Sequence, residues 1–256
     1  MKPCYIHQPW GIGDLIFIQK IVGLFRQRGH DVVVPVRPDL LWAQQHLGRS
    51  GIRYVDMTAP FELGEEFSQL TAYAERLTPD GAIKGAWETD RLLFLPLGPC
   101  YKWCGEPNWM LSKYAVLDLD GSDWASHVRV VRDRERERRL LTQLEIRDGE
   151  PFCLVNGQGS LKQLKLSVEG IRNVQMRILD GFTLFDWAAV VERASAIATI
   201  DTSLVLLIEV LKPSVPLAVV SRHDPPHFDH LRPIVRLPWH FVPTAAGPVV
   251  FEQDLS

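Results

Sequence analysis

The sequence holds no apolar run of the roughly 18 residues that a membrane-spanning helix needs, and its longest candidates carry charges or prolines. No extended apolar segment precedes the glycines of MKPCYIHQPWGIGD, so no secretory leader is expected. Only four cysteines (Cys4, Cys100, Cys104 and Cys153) are spread over the 256 residues. Cys100 and Cys104 are the one close pair, and neither a second pair nor a nearby histidine completes a zinc site. Reduced thiols and a cytoplasmic location are therefore expected. An excess of one charge is also lacking. Lys and Arg total 28 against 31 Asp and Glu, a formal net charge of −3, which gives no global pull toward nucleic acid or an anionic membrane. Any anion site must be local. Short repeats and low-complexity tracts are absent, and 46% hydrophobic with 23% charged residues is the balance of an ordinary globular chain.

The pattern that is present alternates strands and helices. KPCYIH reads as a strand. Asp14 to Arg28 carries apolar residues at Leu15, Ile18, Ile21, Val22 and Phe25, which is helical spacing, and Gly29 ends it. DVVVPVR is a second strand, nearly continuous in apolarity as buried parallel strands are. A βαβ unit this short predicts a right-handed crossover in a doubly wound sheet. IRYVDM and RLLFLPL read as further strands, residues 96–112 as a structured loop, and RDRERERRLLTQL as a charged helix with a solvated face. From FCLVN onward the alternation restarts. NVQMRIL, AIATI and VPLAVVS are strands, and TLFDWAAVVERAS, with Thr183 as N-cap, and DTSLVLLIEVL are helices. Two α/β halves follow, residues 1–147 and 148–256, with a hinge near 145–151.

Four stretches carry candidate chemistry. In GIGDLIFIQKI, Gly11 and Gly13 open a helix whose first turn holds Asp14. The third glycine of a dinucleotide fingerprint is replaced by Ile16, which argues against a nucleotide-dependent oxidoreductase. Asp14 either caps the helix or, with the glycines giving access, takes a proton from a substrate hydroxyl. Next, NGQGSLKQLK places Gly157, Gln158, Gly159, Ser160, Lys162 and Lys165 after a strand. Loop amides with a lysine suit phosphate, without P-loop spacing; a plain exposed turn is the alternative. Third, Asp201, Thr202 and Ser203 stand where a buried strand stops and an apolar helix begins, more capping residues than one helix end requires. Finally, SRHDPPHFDH groups three histidines and two aspartates after the last strand. Its spacing and two prolines do not match a metal motif, and no metal is assigned; Arg222 is the better candidate, as a phosphate contact.

Together, GIGDLIFIQKIVGLFRQRGHDVVV and GFTLFDWAAVVERASAIATIDTSLVLLIEVL resemble glycosyltransferase family 9, the ADP-heptose:lipopolysaccharide heptosyltransferase-like family. The resemblance implies a GT-B fold: two Rossmann-like domains with mostly parallel sheets facing a cleft, the first on the acceptor side and the second, shortened, on the donor side. It implies an inverting, metal-independent transfer of a sugar from a nucleoside-diphosphate sugar to a hydroxyl acceptor (a glycan or glycolipid), with no cofactor and no nucleic acid partner. The place of work would be the cytoplasm, peripheral at the inner face of the membrane. Asp14 would be the catalytic base, Asp201–Ser203 the donor-phosphate loop, and Lys162 or Lys165 the lysine on the diphosphate. Departures from the family pattern are Leu206 in place of a histidine, Ser203 in place of a glycine, and a stretch from Gly159 to Gly181 too short for the extra strand–helix unit. A non-catalytic nucleotide-sugar or phosphate-binding module is the alternative.

Overall fold

The computed structural model describes residues 2–8, 11–48, 51–58, 87–88, 90–98, 100, 104–159, 163–243 and 249. The chain divides into two compact units, Met1–Val131 and Arg132–Ser256.

In the first unit, strands β1 (Pro3–His7), β2 (Asp31–Val36), β3 (Ile52–Asp56) and β5 (Leu93–Pro96) pair in parallel. The two-residue β4 (Trp87–Glu88) joins β5 antiparallel, giving the order β3-β2-β1-β5-β4. Strands β1, β2 and β5 are buried along most of their length, which is why they read as apolar runs without alternation. The helix after β1 is interrupted: α1 (Ile12–Phe17) and α2 (Gln19–Gln27) meet at Ile18. Two side chains account for the break. Gln19 Nε2 donates to Leu15 O at 2.7 Å, and the Tyr114 hydroxyl donates to Phe17 O at 2.6 Å, so carbonyls of the helical ladder are taken by side chains. Gly29, at φ +87°, then turns the chain out of α2 and into β2 as expected. A short helix α3 (Ala43–Leu47) precedes β3, and α4 (Ser112–Ala115) follows the β5 loop.

The second unit opens with α5 (Arg134–Gln143), capped by Asp133, whose carboxylate accepts from the amides of Glu135 and Arg136. Strands β6 (Phe152–Asn156), β7 (Arg172–Gln175), β8 (Ala196–Ile200), β9 (Leu217–Val220) and β10 (Trp239–Val242) form an all-parallel sheet of order β10-β9-β8-β6-β7. Helices α6 (Ala188–Arg193) and α7 (Ser203–Leu211) lie between strands in the sequence. Thr183 begins the turn ahead of α6, its backbone N–H donating to Asp186 Oδ2 at 2.6 Å.

The seam between units falls before α5, whereas the restart of the strand–helix alternation suggested residues 145–151. Side chains of the charged helix explain the difference. Arg136 grips the fully buried Asp186 through two hydrogen bonds of 2.9 and 2.7 Å, and Arg132 bonds Glu192 on α6. Glu137, only 2% exposed, is paired with Arg132 and Arg134. Arg134, Glu135, Arg138 and Arg139 keep the solvated face that the sequence leads one to expect, while Arg136 and Glu137 tie α5 to the rest of the second unit.

Candidate functional site

Both sheets place their chemistry by one topological rule. A ligand in an open parallel sheet binds beyond the carboxyl ends of the strands, where the strand order reverses. In the first unit that point lies between β1 and β5; in the second it lies between β6 and β8.

At the first point, β1 ends in His7 and Gln8, and Gly11 leads into α1. Asp14 is the third residue of that helix and only 6% exposed. Its Oδ2 accepts from the Gly11 backbone N–H at 3.3 Å, so the capping role is real. Its Oδ1 lies 3.1 Å from the ammonium of Lys113, itself 1% exposed, yet off the line of a hydrogen bond. Lys113 directs its protons to Trp109 O at 3.0 Å and Met110 Sδ at 3.7 Å, and its ammonium sits 4.5 Å from the centre of the Trp109 ring. The turn that presents it is set by Asn108, whose Oδ1 accepts from the amides of Met110 and Leu111. Lys113 went unnoticed in the sequence, where it is one lysine in an irregular, Trp-rich stretch.

Two further features mark this strand end. A side chain on Gly11 would meet open space, and its φ of −97° is accessible to any residue, so the backbone does not demand glycine. Gln8 is 1% exposed, and neither its Nε2 nor its Oε1 has a hydrogen-bond partner among the described residues. Beside it His7 packs on Phe94, and burial pushes its pKa down to about 4, so the ring is neutral at physiological pH.

At the second point, Asn156 ends β6 and spans the reversal. Its Nδ2 donates to Thr199 Oγ1 and Thr202 Oγ1, both at 3.0 Å, while its Oδ1 accepts from Gln158 N. Thr202 is the N-cap residue of α7, but its hydroxyl is spent on Asn156 and no side chain caps the helix. The first amides of α7 are thus left for another acceptor. Ser203 is half-buried at the helix start. Asp201 has a fully buried side chain whose Oδ1 accepts from Arg222 N at 3.1 Å, with Arg222 Nε 3.4 Å away. Around Oδ2 stand His223 Nε2 and His230 Nε2, each 3.1 Å distant. Burial lowers the His223 pKa despite the nearby carboxylate.

The glycine loop after β6 is held by its own backbone contacts. Leu164 N donates to Gly157 O at 2.8 Å, and Gln158 bridges Gln163, so the segment folds back on itself. A Cβ on Gly157 would come within 1.9 Å of the Leu164 carbonyl oxygen, which accounts for that glycine without a ligand. Gln158 and Lys165 are exposed and Gly159 is half-buried, while Ser160 and Lys162 lie outside the described residues. In the first unit Gly13 is the second residue of α1.

Neither a protein family nor a curated protein matches the sequence. Solved structures do match in shape. The glycosyl transferase family 9 structure from Veillonella parvula DSM 2008 superposes with a TM-score of 0.52 over 94% of this chain and 86% of its own, at 12% identity. The fold is GT-B-like. The iron-containing dodecameric glycosyltransferase TibC from enterotoxigenic E. coli H10407 also matches this GT-B-like chain, with a TM-score of 0.50 at 10% identity over 94% of this chain and 62% of TibC. Among the described residues, no helix of the GT-B-like chain is long and apolar enough to cross a membrane.

Proposed function

We propose that the protein is an inverting glycosyltransferase that moves a sugar from a nucleoside-diphosphate sugar to a hydroxyl on a glycan or glycolipid acceptor, at the inner face of the membrane. One observation carries this reading. The apolar helix α7 begins at a strand-order reversal with its N-terminal amides uncapped, because the Thr202 hydroxyl is held by Asn156. An anionic diphosphate is the natural occupant of such a helix start. Arg222, whose Nε is buried and without a hydrogen-bond partner among the described residues, supplies a guanidinium beside it. Charge that develops on the departing nucleoside diphosphate is then met by oriented dipoles and a cation.

Asp14 supports the acceptor side. Its Oδ1 is buried and lacks a hydrogen-bond partner, so one lone pair is left to receive a hydroxyl proton, while Oδ2 is fixed by Gly11. General-base assistance of this kind contributes about 10²–10⁴-fold. As the acceptor oxygen attacks the anomeric carbon, its proton passes to Asp14 and the bond to the diphosphate breaks. The grouping of Asp201 with two imidazoles weighs against the metal-free transfer expected from sequence.

A non-catalytic binding module is favoured by the Lys113 ammonium, which already neutralises Asp14 in the interior. One experiment separates the two. Purified protein is screened by thermal shift against ADP-, UDP-, GDP- and CMP-sugars, and the stabilising donor is then assayed for nucleoside diphosphate release with and without glycan acceptors. Ligand at about 100 Kd adds about 2.7 kcal/mol. Stabilisation with acceptor-dependent release supports the transferase, stabilisation alone supports the module, and no stabilisation by any donor refutes both.

A further inference from the structure

We propose that Asp201, His223 and His230 form a binding site for a first-row divalent transition-metal cation. Three imidazoles crowd the start of the last loop: His223 stacks on His227 at 4.2 Å between ring centres, and His230 closes on both at 4.9 and 5.7 Å. Two of them turn their Nε2 atoms toward one carboxylate oxygen. The ligand atoms of Asp201, His223 and His230 all lie within 4.8 Å of one another.

The contacts are not hydrogen bonds. Although each Nε2 stands 3.1 Å from Asp201 Oδ2, Oδ2 has no hydrogen-bond partner among the described residues, and neither has His223 Nε2. A fully buried carboxylate oxygen and a buried ring nitrogen without partners are costly, and such pairs need an explanation. A shared cation supplies it. Two ligands each about 2.1 Å from a common ion lie about 3.0 Å apart at a right angle and about 3.4 Å apart at the tetrahedral angle. The observed 3.1 Å falls between these values. The remaining pair, the two ring nitrogens, lie within 4.8 Å of each other, and the His223 side chain is 34% exposed.

The outer shell is in place as well. Asp201 Oδ1 is held by Arg222 N and faced by the guanidinium, which leaves Oδ2 as the ligand atom. Ser221 Oγ accepts from the amides of His223 and His227 and donates to His227 O, while Phe228 and Leu231 are buried and anchor the loop that carries the histidines. Two imidazoles and one carboxylate suit Zn²⁺, Fe²⁺, Co²⁺ or Mn²⁺ rather than Ca²⁺ or Mg²⁺, and three protein ligands leave open positions. Resting on the glycosyltransferase reading, those positions face the same helix start as the donor diphosphate, whose oxygens are ligands for such an ion.

The test uses the 256-residue chain without nucleotide, so that its outcome is independent of whether the chain transfers sugar. Protein freed of metal with a chelator is titrated with Zn²⁺ by calorimetry and with Co²⁺ by visible absorption. One equivalent of Zn²⁺ should bind, displacing Co²⁺ and its ligand-field bands. His223→Ala and His230→Ala should each weaken binding by more than about tenfold, and the double variant by more than about 100-fold, with far-UV circular dichroism unchanged. Should His230→Ala fail to fold, the partly exposed His223→Ala variant carries the comparison alone. Absence of stoichiometric binding by the parent protein overturns the proposal. So does binding that survives both substitutions, or a Co²⁺ spectrum dominated by thiolate charge transfer, which would place the ion on cysteine.

Discussion

Breaking the Asp14–Lys113 pair tests whether this carboxylate belongs to the framework, to the chemistry, or to both. Lys113→Met removes the ammonium 3.1 Å from Asp14 Oδ1 and leaves a carboxylate that is 6% exposed. Stranding a buried charge in this way costs about 3–5 kcal/mol. Asp14→Asn should cost less, about 1–3 kcal/mol, because Lys113 keeps Trp109 O and the Trp109 ring, and a carboxamide oxygen remains nearby. At 3.1 Å and an effective dielectric of about 20, the Coulomb attraction is about 5 kcal/mol, an upper bound before desolvation is subtracted. The double variant, with neither charge, should therefore be more stable than the sum of the single losses by about 2–5 kcal/mol. Urea unfolding followed by tryptophan fluorescence and circular dichroism gives the four stabilities, with constant m values as the check on cooperativity. Additivity to within about 0.5 kcal/mol would refute the ion pair as an energetic unit. Assays of the same four proteins address the chemistry. Asp14→Asn should be folded, should still be stabilised by the donor, and should transfer no sugar; parental transfer by this variant would remove Asp14 from the mechanism.

Acid should weaken the first unit through His7. Its folded pKa, about 4, lies below the ordinary 6.5, so the unfolded chain binds a proton first. The corresponding stability is complete above pH 6.5 and is lost as pH falls toward 4, about 3 kcal/mol in all. His7→Gln should flatten urea midpoints over that window, and an unchanged slope would count against it. The two loop glycines should behave oppositely. Gly157→Ala must displace the Leu164 carbonyl and should cost at least about 1–3 kcal/mol, whereas Gly11→Ala enters open space and should keep stability within about 0.5 kcal/mol. Equal thermal shifts for both would refute the distinction. Glu209, 1% exposed, accepts from Trp239 Nε1, Leu237 N and Arg236 N. Glu209→Ala strands three donors and should cost at least about 3 kcal/mol in chemical denaturation.

Much of the architecture is written locally. The strand–turn–helix of residues 3–27, the Gly29 exit and the five strands from Phe152 to Val242 are specified by apolar periodicity and turn residues, apart from β10, where a four-residue segment follows a proline-rich loop with little pattern of its own. What could not be read is long-range. Lys113 meets Asp14 across 99 positions, and no feature of WMLSKYAV announces that a lysine there is buried. The histidine loop has no ligand spacing of its own, because the third group, Asp201, arrives from the neighbouring strand end. Gly157 has a structural reason of its own that the sequence does not show, the tight return that brings the Leu164 carbonyl against it.

The grip of Arg136 on Asp186, and of Arg132 on Glu192, fixes where this chain can be recombined. A second half cut at residue 148 would bare a carboxylate that has no exposure in the intact protein, whereas a cut ahead of Arg132 keeps helix and sheet together. Shuffling of second-half units among proteins of this architecture should therefore tolerate joints in 128–131 and reject those between α5 and β6, so that the charged helix is inherited with the sheet it fastens to.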